Sequence, residues 1–487
     1  MIKLQIVTNY INNTKDFFNS FRNEKGRQTY RRIGSITFPA FVELFLNSIF
    51  GVINLVMVGR LSTEAIAGVG LTNQPLFLLM AIFAAVNVGT TTLVSWNIGK
   101  NNFKQASFIT KQAIMFNVIL GVVVMLIGYF GARFFIPLLI DDDIVINYAV
   151  GYFQIISLGI AFMTVSMGIS AALRGAGITK IPMIYNICAS LLNVTLNYLL
   201  IYGNFGFPEL GINGAALATT ISRGISCTIA ILVLVFWKSS PIRLKIRTSW
   251  LPHLKTLKDI FRIGMPTAGE QFVIQTGLLV YLRIVSSLGA SAFAAHQIAI
   301  SVNSMAFSIS QAFQISNNSL VGRSVGGDDY DLAERYTIFS RRLARLITGI
   351  VAAFFIIFAA RIASIYTDDL QVISLAIPVF YLMSLIQYVQ SSQMTTAGAL
   401  KGAGDIMYPL YASILGIWGF RIALAAVFVF VFDWGVTGAW LSFFIDQCGR
   451  SFVIKRRFSS GKWREMKSVR EERMRLRNEK LQKSTSV

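Results

Sequence analysis

"LRGAGITKIP" at residues 173–182 and "LKGAGDIMYP" at residues 400–409 are nearly one phrase written twice, 227 residues apart. The match continues on both sides. At the same offset Pro39 meets Pro266, Glu43 meets Glu270, Gly99 meets Gly326, and the pair Asp141-Asp142 meets Asp368-Asp369. Later the offset shortens to 224, where Gly211 and Gly214 match Gly435 and Gly438. Self-similarity at one offset over about 170 residues indicates duplication of a structural unit.

The composition says what kind of unit it is. Of 487 residues, 54% are hydrophobic and only 14% are charged, with a mean hydropathy of +0.60. A soluble protein of this length needs more charged surface. Twelve apolar stretches, each about twenty residues or longer, run from about 36–58 to about 434–454. Continuous apolar runs argue for helices over the alternation that a barrel requires. The expectation is an all-α polytopic membrane protein with about twelve transmembrane helices in two parallel six-helix pseudo-repeats. The organisation reads as an N-terminal segment (1–32), an N-lobe (33–237), a linker with Pro241 and Pro252 (238–261), a C-lobe (262–457) and a basic tail (458–487). An even number of spans per half sends both halves into the membrane in the same direction. Two such bundles rocking about an axis along the membrane normal can open a shared cavity to either side in turn.

The net charge of +21 invites a nucleic-acid reading, but its distribution argues otherwise. With a cytoplasmic N-terminus, 38 of the 44 Lys and Arg fall on the cytoplasmic side, including Arg31, Arg32, Lys245, Arg247, Arg341, Arg342 and the tail. That asymmetry is the positive-inside rule. The tail after Lys455 reads as solvated or touching lipid headgroups, and no nucleic-acid partner is expected. The first 30 residues are polar and basic and show no signal-peptide core. A monomer in a bacterial inner membrane, multi-pass with both termini cytoplasmic, is the expectation. Cys188, Cys227 and Cys448 have no metal-site or disulfide spacing and read as packing residues.

In the repeated phrase, Gly175 and Gly177, like Gly402 and Gly404, suit a tight left-handed turn between helices. Pro182 and Pro409 then start the next spans, and Arg174 and Lys401 are expected to face the cytoplasmic headgroups. Carboxylates inside a membrane cost about 2.5–3.5 kcal/mol each on insertion scales and need a reason. Glu43, Asn47 and Asn54 fall within about 40° on one helix face and form a polar stripe. These oxygens suit Na⁺, with Glu270 as the other candidate position, and a desolvated Glu can instead carry a proton. The plainer alternative is that Glu43 cross-links a neighbouring helix. Thr267 and Tyr281 share the face of Glu270. His296, Asn303 and Gln314 form a further stripe with Gln311 nearby, read either as interhelical glue or as cavity lining. Gln387, Gln390, Asn193 and Asn197 are further cavity candidates, Met57, Met80 and Met167 can line an apolar pocket, and Arg421 can pair with Asp446 or Asp433.

The stretch "PAFVELFLNSIFGVINLVMVGRLSTEAIAGVGLTNQP" (39–75), its counterpart "GMPTAGEQFVIQTGLLVYLRIVSSLGASAFAAHQIA" (264–299) and both "L[RK]GAG…P" phrases resemble multidrug and toxic compound extrusion (MATE) transporters. The resemblance spans about residues 33–455. It implies two six-helix lobes, alternating access, and antiport of cationic or amphipathic organic compounds against Na⁺ or H⁺, with no other cofactor. Many relatives carry an Asp in the first helix where this chain has Asn54, so Glu43 becomes the candidate titrating group. A flippase for lipid-linked or polysaccharide precursors has the same architecture, but should want several cavity Arg or Lys, and only Arg223, Arg283 and Arg421 lie within spans. A membrane-embedded enzyme would need a catalytic constellation that His253 and His296 do not supply.

Overall fold

The structure, a computed structural model, describes residues 24–61, 63–137, 142–237, 240–244, 250–469 and 472. Twelve long helices follow in order: α1 (Glu24–Gly59), α2 (Thr63–Gly99), α3 (Phe103–Phe135), α4 (Asp143–Gly175), α5 (Lys180–Tyr202) and α6 (Gly211–Phe236), then α7 (Leu254–Ser286), α8 (Ala290–Gly326), α9 (Tyr330–Tyr366), α10 (Leu370–Ala403), α11 (Met407–Phe430) and α12 (Gly435–Ser459). The described residues contain no strand. Ten helices are long and apolar enough to cross a membrane. The other two, α7 and α12, have no apolar stretch of that length and pack against α2 and α11, and against α10 and α11. Phe130, Phe134, Ile350 and Ile357 point out of the bundle and are exposed, as lipid-facing side chains are. The chain is a multi-pass membrane protein.

The packing repeats as the sequence does. In the first half α4 packs on α2, α3 and α6, and α5 packs on α1 and α6. In the second half α10 packs on α8, α9 and α12, and α11 on α7 and α12. Even the contacts between halves are exchanged: α2 meets α7 as α8 meets α1. Helix starts follow the same rule. Asn102 and Asp329, at equivalent positions, cap α3 and α9 by accepting from the backbone N–H groups of Gln105 and Leu332. Asp142 and Asp369 cap α4 and α10 likewise. The second acid of each repeated pair is therefore a helix cap; Asp141 lies outside the described residues.

The repeated phrase makes its turn with only one glycine of each pair. Gly177 (φ 81°) and Gly404 (φ 88°) are left-handed as expected. Gly175 and Gly402 are helical, and serve close approach instead. A Cβ on Gly175 would lie 2.7 Å from the Thr91 carbonyl oxygen, and one on Gly402 would lie 2.4 Å from that of Asn318.

Two helices begin before their apolar stretches do. α1 starts at Glu24 because Tyr30 stacks on Phe339 at 4.9 Å and Ile33 and Ile36 join a core with Phe313 and Tyr336. α7 starts at Leu254, capped by His253. The expectation for the tail is solvation or headgroup contact; its described part is exposed at Lys462, Glu465 and Ser468 but docked at Trp463 and Lys467. Trp463 is 1% exposed and stacks on Phe458. Lys467 Nζ donates to the carbonyls of Val325 (2.9 Å) and Gly326 (3.1 Å) and to the Asp328 carboxylate (2.7 Å). The last carbonyls of a helix have no partner within it, and a lysine is well placed to satisfy them. The expectations for residues 1–23, Lys245, Arg247 and the tail from 473 onward lie outside the described residues.

Candidate functional site

The predicted polar stripe on α1 meets a second one on α5. Both helices run the same way, so partners recur at a constant separation of 143 residues. Asn186 Nδ2 donates to Glu43 Oε1 (2.7 Å), Ser190 Oγ to Asn47 Oδ1 (3.1 Å) and Asn197 Nδ2 to Asn54 Oδ1 (2.8 Å). Asn54 Nδ2 also donates to Asn193 Oδ1 (2.8 Å), whose own amide reaches Thr219. Each amide thus finds a partner, as polar groups in an apolar bundle must.

At the lower end of this ladder stands an ion pair. Arg174 Nη2 donates to Glu43 Oε1 at 2.6 Å. The C-lobe repeats it at the same offset of 227, with Lys401 Nζ 2.7 Å from Glu270 Oε2. Glu43, Glu270 and Lys401 are buried and Arg174 nearly so. The expectation that Arg174 and Lys401 face headgroups is corrected: each turns inward and compensates a carboxylate that would otherwise be a buried unpaired charge.

These basic residues also form the seam between the lobes. Thr92 Oγ1 on α2 donates to the Lys401 carbonyl (3.2 Å), and the equivalent Ser319 Oγ on α8 donates to the Arg174 carbonyl (2.5 Å). Trp96 Nε1 adds a bond to the Gly402 carbonyl (2.8 Å). Beside them α2 and α8 cross backbone to backbone. A Cβ on Gly99 would sit 2.0 Å from the Arg323 carbonyl oxygen, and one on Gly326 would sit 2.4 Å from that of Trp96. At this end of the bundle, where the loops are basic, the lobes are in direct contact.

A cavity of about 610 Å³ opens among α1, α2, α4, α5, α6 and α8. Glu43, Asn47, Asn54 and Asn193 line it as the stripe predicts, with Met167 and Gln311. Among the described residues three charged ones stand in its wall: Glu43, Arg174 and Arg223. Asn197, at 1% exposure, supports the wall from behind.

One Na⁺ cannot be shared by the whole predicted set. Glu43 and Asn54 are eleven residues apart, about 16 Å along the helix axis. The Asn47 and Asn54 amide oxygens are also already accepting hydrogen bonds. Glu43 Oε2 has no partner among the described residues and is the oxygen left for a Na⁺ or a proton.

The C-lobe candidates Tyr281, His296, Asn303, Gln314, Gln387 and Gln390 do not line that cavity. His296 Nδ1 accepts from Trp440 Nε1 (3.1 Å), and its ring lies 5.8 Å from that of Tyr281. Gln387 Nε2 donates to Asn303 Oδ1 (2.6 Å), Gln390 is buried, and Gln314 is half-buried. Interhelical bonding, the plainer of the two expectations, describes His296, Asn303 and Gln387. Met57 and Met80 also pack in apolar clusters. Arg421 does pair with Asp446, through Nε (2.9 Å) and Nη2 (2.6 Å), and Arg450 joins at 2.7 Å. A π-helical stretch, Leu415–Ile422, turns Arg421 toward that carboxylate.

Comparison with known proteins follows the duplication. The MatE family model matches residues 39–199 and again 266–427, about two thirds of the chain and once per lobe. The chain belongs to the MatE family. A probable multidrug resistance protein NorM of Thermotoga maritima is 30% identical over 472 residues, 94% of this chain and 98% of that protein. An uncharacterized transporter, YisQ, of Bacillus subtilis is 27% identical over 430 residues, covering 88% and 94%. Among solved structures, a MOP superfamily transporter of Pyrococcus furiosus, described as having a binding pocket of reverse polarity, superposes with a TM-score of 0.83 at 20% identity, covering 90% and 97%. A multidrug resistance MATE family transporter in an outward-facing conformation gives 0.82 at 20% identity, covering 89% and 96%. These structures share the fold of this MatE protein, and the family is one of membrane transporters.

Arg174, Lys401, Asn186, Ser190 and Arg223 were not assigned to the site by sequence reasoning. A signal existed for four of them. Opposite charges that recur at one offset, Glu43 with Arg174 and Glu270 with Lys401, mark a duplicated ion pair, and Asn186, Ser190, Asn193 and Asn197 repeat at helical spacing.

Proposed function

We propose that this MatE protein is a secondary-active exporter of small organic molecules, driven by inward movement of Na⁺ or H⁺. It works as a monomer in a bacterial inner membrane, with the basic end and both termini in the cytoplasm. One observation carries the reading. The residues paired with Glu43 and Glu270 are the same ones whose carbonyls hold the seam. When Glu43 takes a proton or a Na⁺, its hold on Arg174 weakens, and the Ser319 bond to the Arg174 carbonyl is disturbed with it; Glu270, Lys401 and Thr92 repeat this in the other lobe. The charge state of a carboxylate is thereby tied to whether the lobes meet, which alternating access requires. The family resemblance adds amphipathic cargo, cationic in many members. A cavity of about 610 Å³ suits drug-sized molecules better than a lipid-linked saccharide, which favours export over flipping.

Dye efflux in everted vesicles under imposed Na⁺ or pH gradients tests this. The wild type is expected to respond to one gradient, which identifies the ion, and Glu43→Gln and Glu270→Gln to lose that response. Wild-type rates in both variants would refute the coupling role.

A further inference from the structure

We propose that the N-lobe cavity selects amphipathic organic anions, with Arg223 receiving the acidic end. This rests on the exporter reading of the same cavity and names its cargo class. Of the three charged residues in the wall, Glu43 and Arg174 neutralise one another. Arg223, twelve residues into α6 and so near mid-helix, makes no hydrogen bond or ion pair among the described residues, and its Nη1 is buried without a partner. A guanidinium at that depth faces the bundle interior or a water-filled cavity and marks a pathway for a polar or charged cargo. The lobes differ here. At the local offset of 224, Asp446, which holds Arg421 and Arg450 in the C-lobe, corresponds to Ser222 in the N-lobe. The duplicated position that neutralises cations in one lobe carries no charge in the other.

Among its described wall residues the cavity thus keeps a net positive charge of one. Phe50, Met163, Met167 and Ile315 supply an adaptable apolar surface for the body of such a molecule. A carboxylate, sulfonate or phosphate end meets a planar donor suited to bidentate contact. A cationic drug instead meets a like charge.

Two xanthene dyes of similar shape and opposite charge, fluorescein (anionic) and rhodamine 6G (cationic), separate these outcomes. Equilibrium binding is measured by fluorescence polarisation on the full chain in phosphatidylcholine nanodiscs, against empty discs. Fluorescein is expected to bind the wild type at least about tenfold more tightly than rhodamine 6G. Arg223→Gln should weaken fluorescein by roughly ten- to a hundredfold, the usual effect of losing a hydrogen bond to a charged group. Arg223→Lys should keep most of the preference. Because Arg223 makes no hydrogen bond or ion pair among the described residues, Arg223→Gln should melt no lower than the wild type, which guards against misfolding. Rhodamine 6G binding as tightly as fluorescein, no effect of Arg223→Gln on fluorescein, or no binding of either dye overturns the proposal. Transport in proteoliposomes under Na⁺ and pH gradients separates the two readings. Export of rhodamine 6G independent of Arg223 sinks the anion site and leaves the exporter. Arg223-dependent fluorescein binding without export of either dye keeps the site and sinks the exporter.

Discussion

The tightest element of the seam is the crossing of α2 and α8, and it is open to a one-carbon test. In Gly99→Ala the new Cβ would lie 2.0 Å from the Arg323 carbonyl oxygen, whereas ordinary contact begins near 3.4 Å. The backbones must therefore separate by about 1.4 Å, since neither can yield within its own helix. That movement stretches three hydrogen bonds across the seam, from Thr92, Trp96 and Ser319. At about 1 kcal/mol net each they contribute about 3 kcal/mol, and overpacking adds about 1–3 kcal/mol. Even the smaller sum, about 4 kcal/mol, shifts the equilibrium away from the closed basic end by about a thousandfold. Double electron–electron resonance between spin labels at Lys104 and Asp331, equivalent first-turn positions of α3 and α9, reads the separation. Gly99→Ala should move the distribution to longer distances, and Gly326→Ala, with its Cβ 2.4 Å from the Trp96 carbonyl oxygen, should do the same. Gly34→Ala, where a Cβ meets nothing within 4 Å, is the control. Distributions identical for Gly99→Ala and wild type would refute the assignment of this crossing as the closing contact.

Asp446→Asn leaves two buried guanidiniums, Arg421 and Arg450, sharing a neutral amide, and should destabilise the C-lobe by about 3–5 kcal/mol; an unchanged unfolding midpoint in detergent would contradict that. The tail contact is pH-sensitive in a stated direction. The hydrogen bond from Lys467 is the main cause holding the Asp328 carboxyl below its usual 3.8. A depressed carboxylate stabilises the docked tail above its unfolded pKa and loses that contribution as pH falls through the folded one. Hydrogen exchange over residues 461–469 should therefore be flat between pH 8 and about 5 and quicken, beyond its intrinsic pH dependence, only below about pH 4. Lys467→Met should raise exchange there at every pH, because it also strands the α8 carbonyls.

Duplication, helix number and the polar face of α1 were legible because they are written in periodicities: one offset of 227, apolar runs of membrane length, and Glu43, Asn47 and Asn54 at helical spacing. Side-chain direction at the helix ends was not legible. Arg174 sits where a basic residue ordinarily meets headgroups, and only the position of α1 beside α4 and α5 shows Glu43 within reach. The π-helical turn that aims Arg421 has no sequence signature, since Leu415–Ile422 reads as an ordinary apolar helix. Burial of the tail around Trp463 was hidden by its charge, because Arg464 and Lys467 look solvated until Glu334 and the end of α8 are placed beside them.

The two lobes agree along the seam and in the ion pairs beside it, and differ elsewhere. Thr92 and Ser319, Gly99 and Gly326, Arg174 and Lys401, and Glu43 and Glu270 occupy equivalent positions and make equivalent contacts. A seam built from symmetric halves opens and closes as one two-state element, because loss of a contact in one lobe removes the geometry its counterpart needs. The ladder from Asn47 to Asn197, the Arg421 cluster and the solitary Arg223 have no such counterparts. Coupling through the seam and recognition in the cavity are therefore separable: substitutions at Gly99 should alter the lobe equilibrium without changing charge preference, and substitutions at Arg223 should do the reverse. If the two sets of variants produced the same change in both spin-label distance and dye preference, the cavity and the seam would be one machine part and this division would fail.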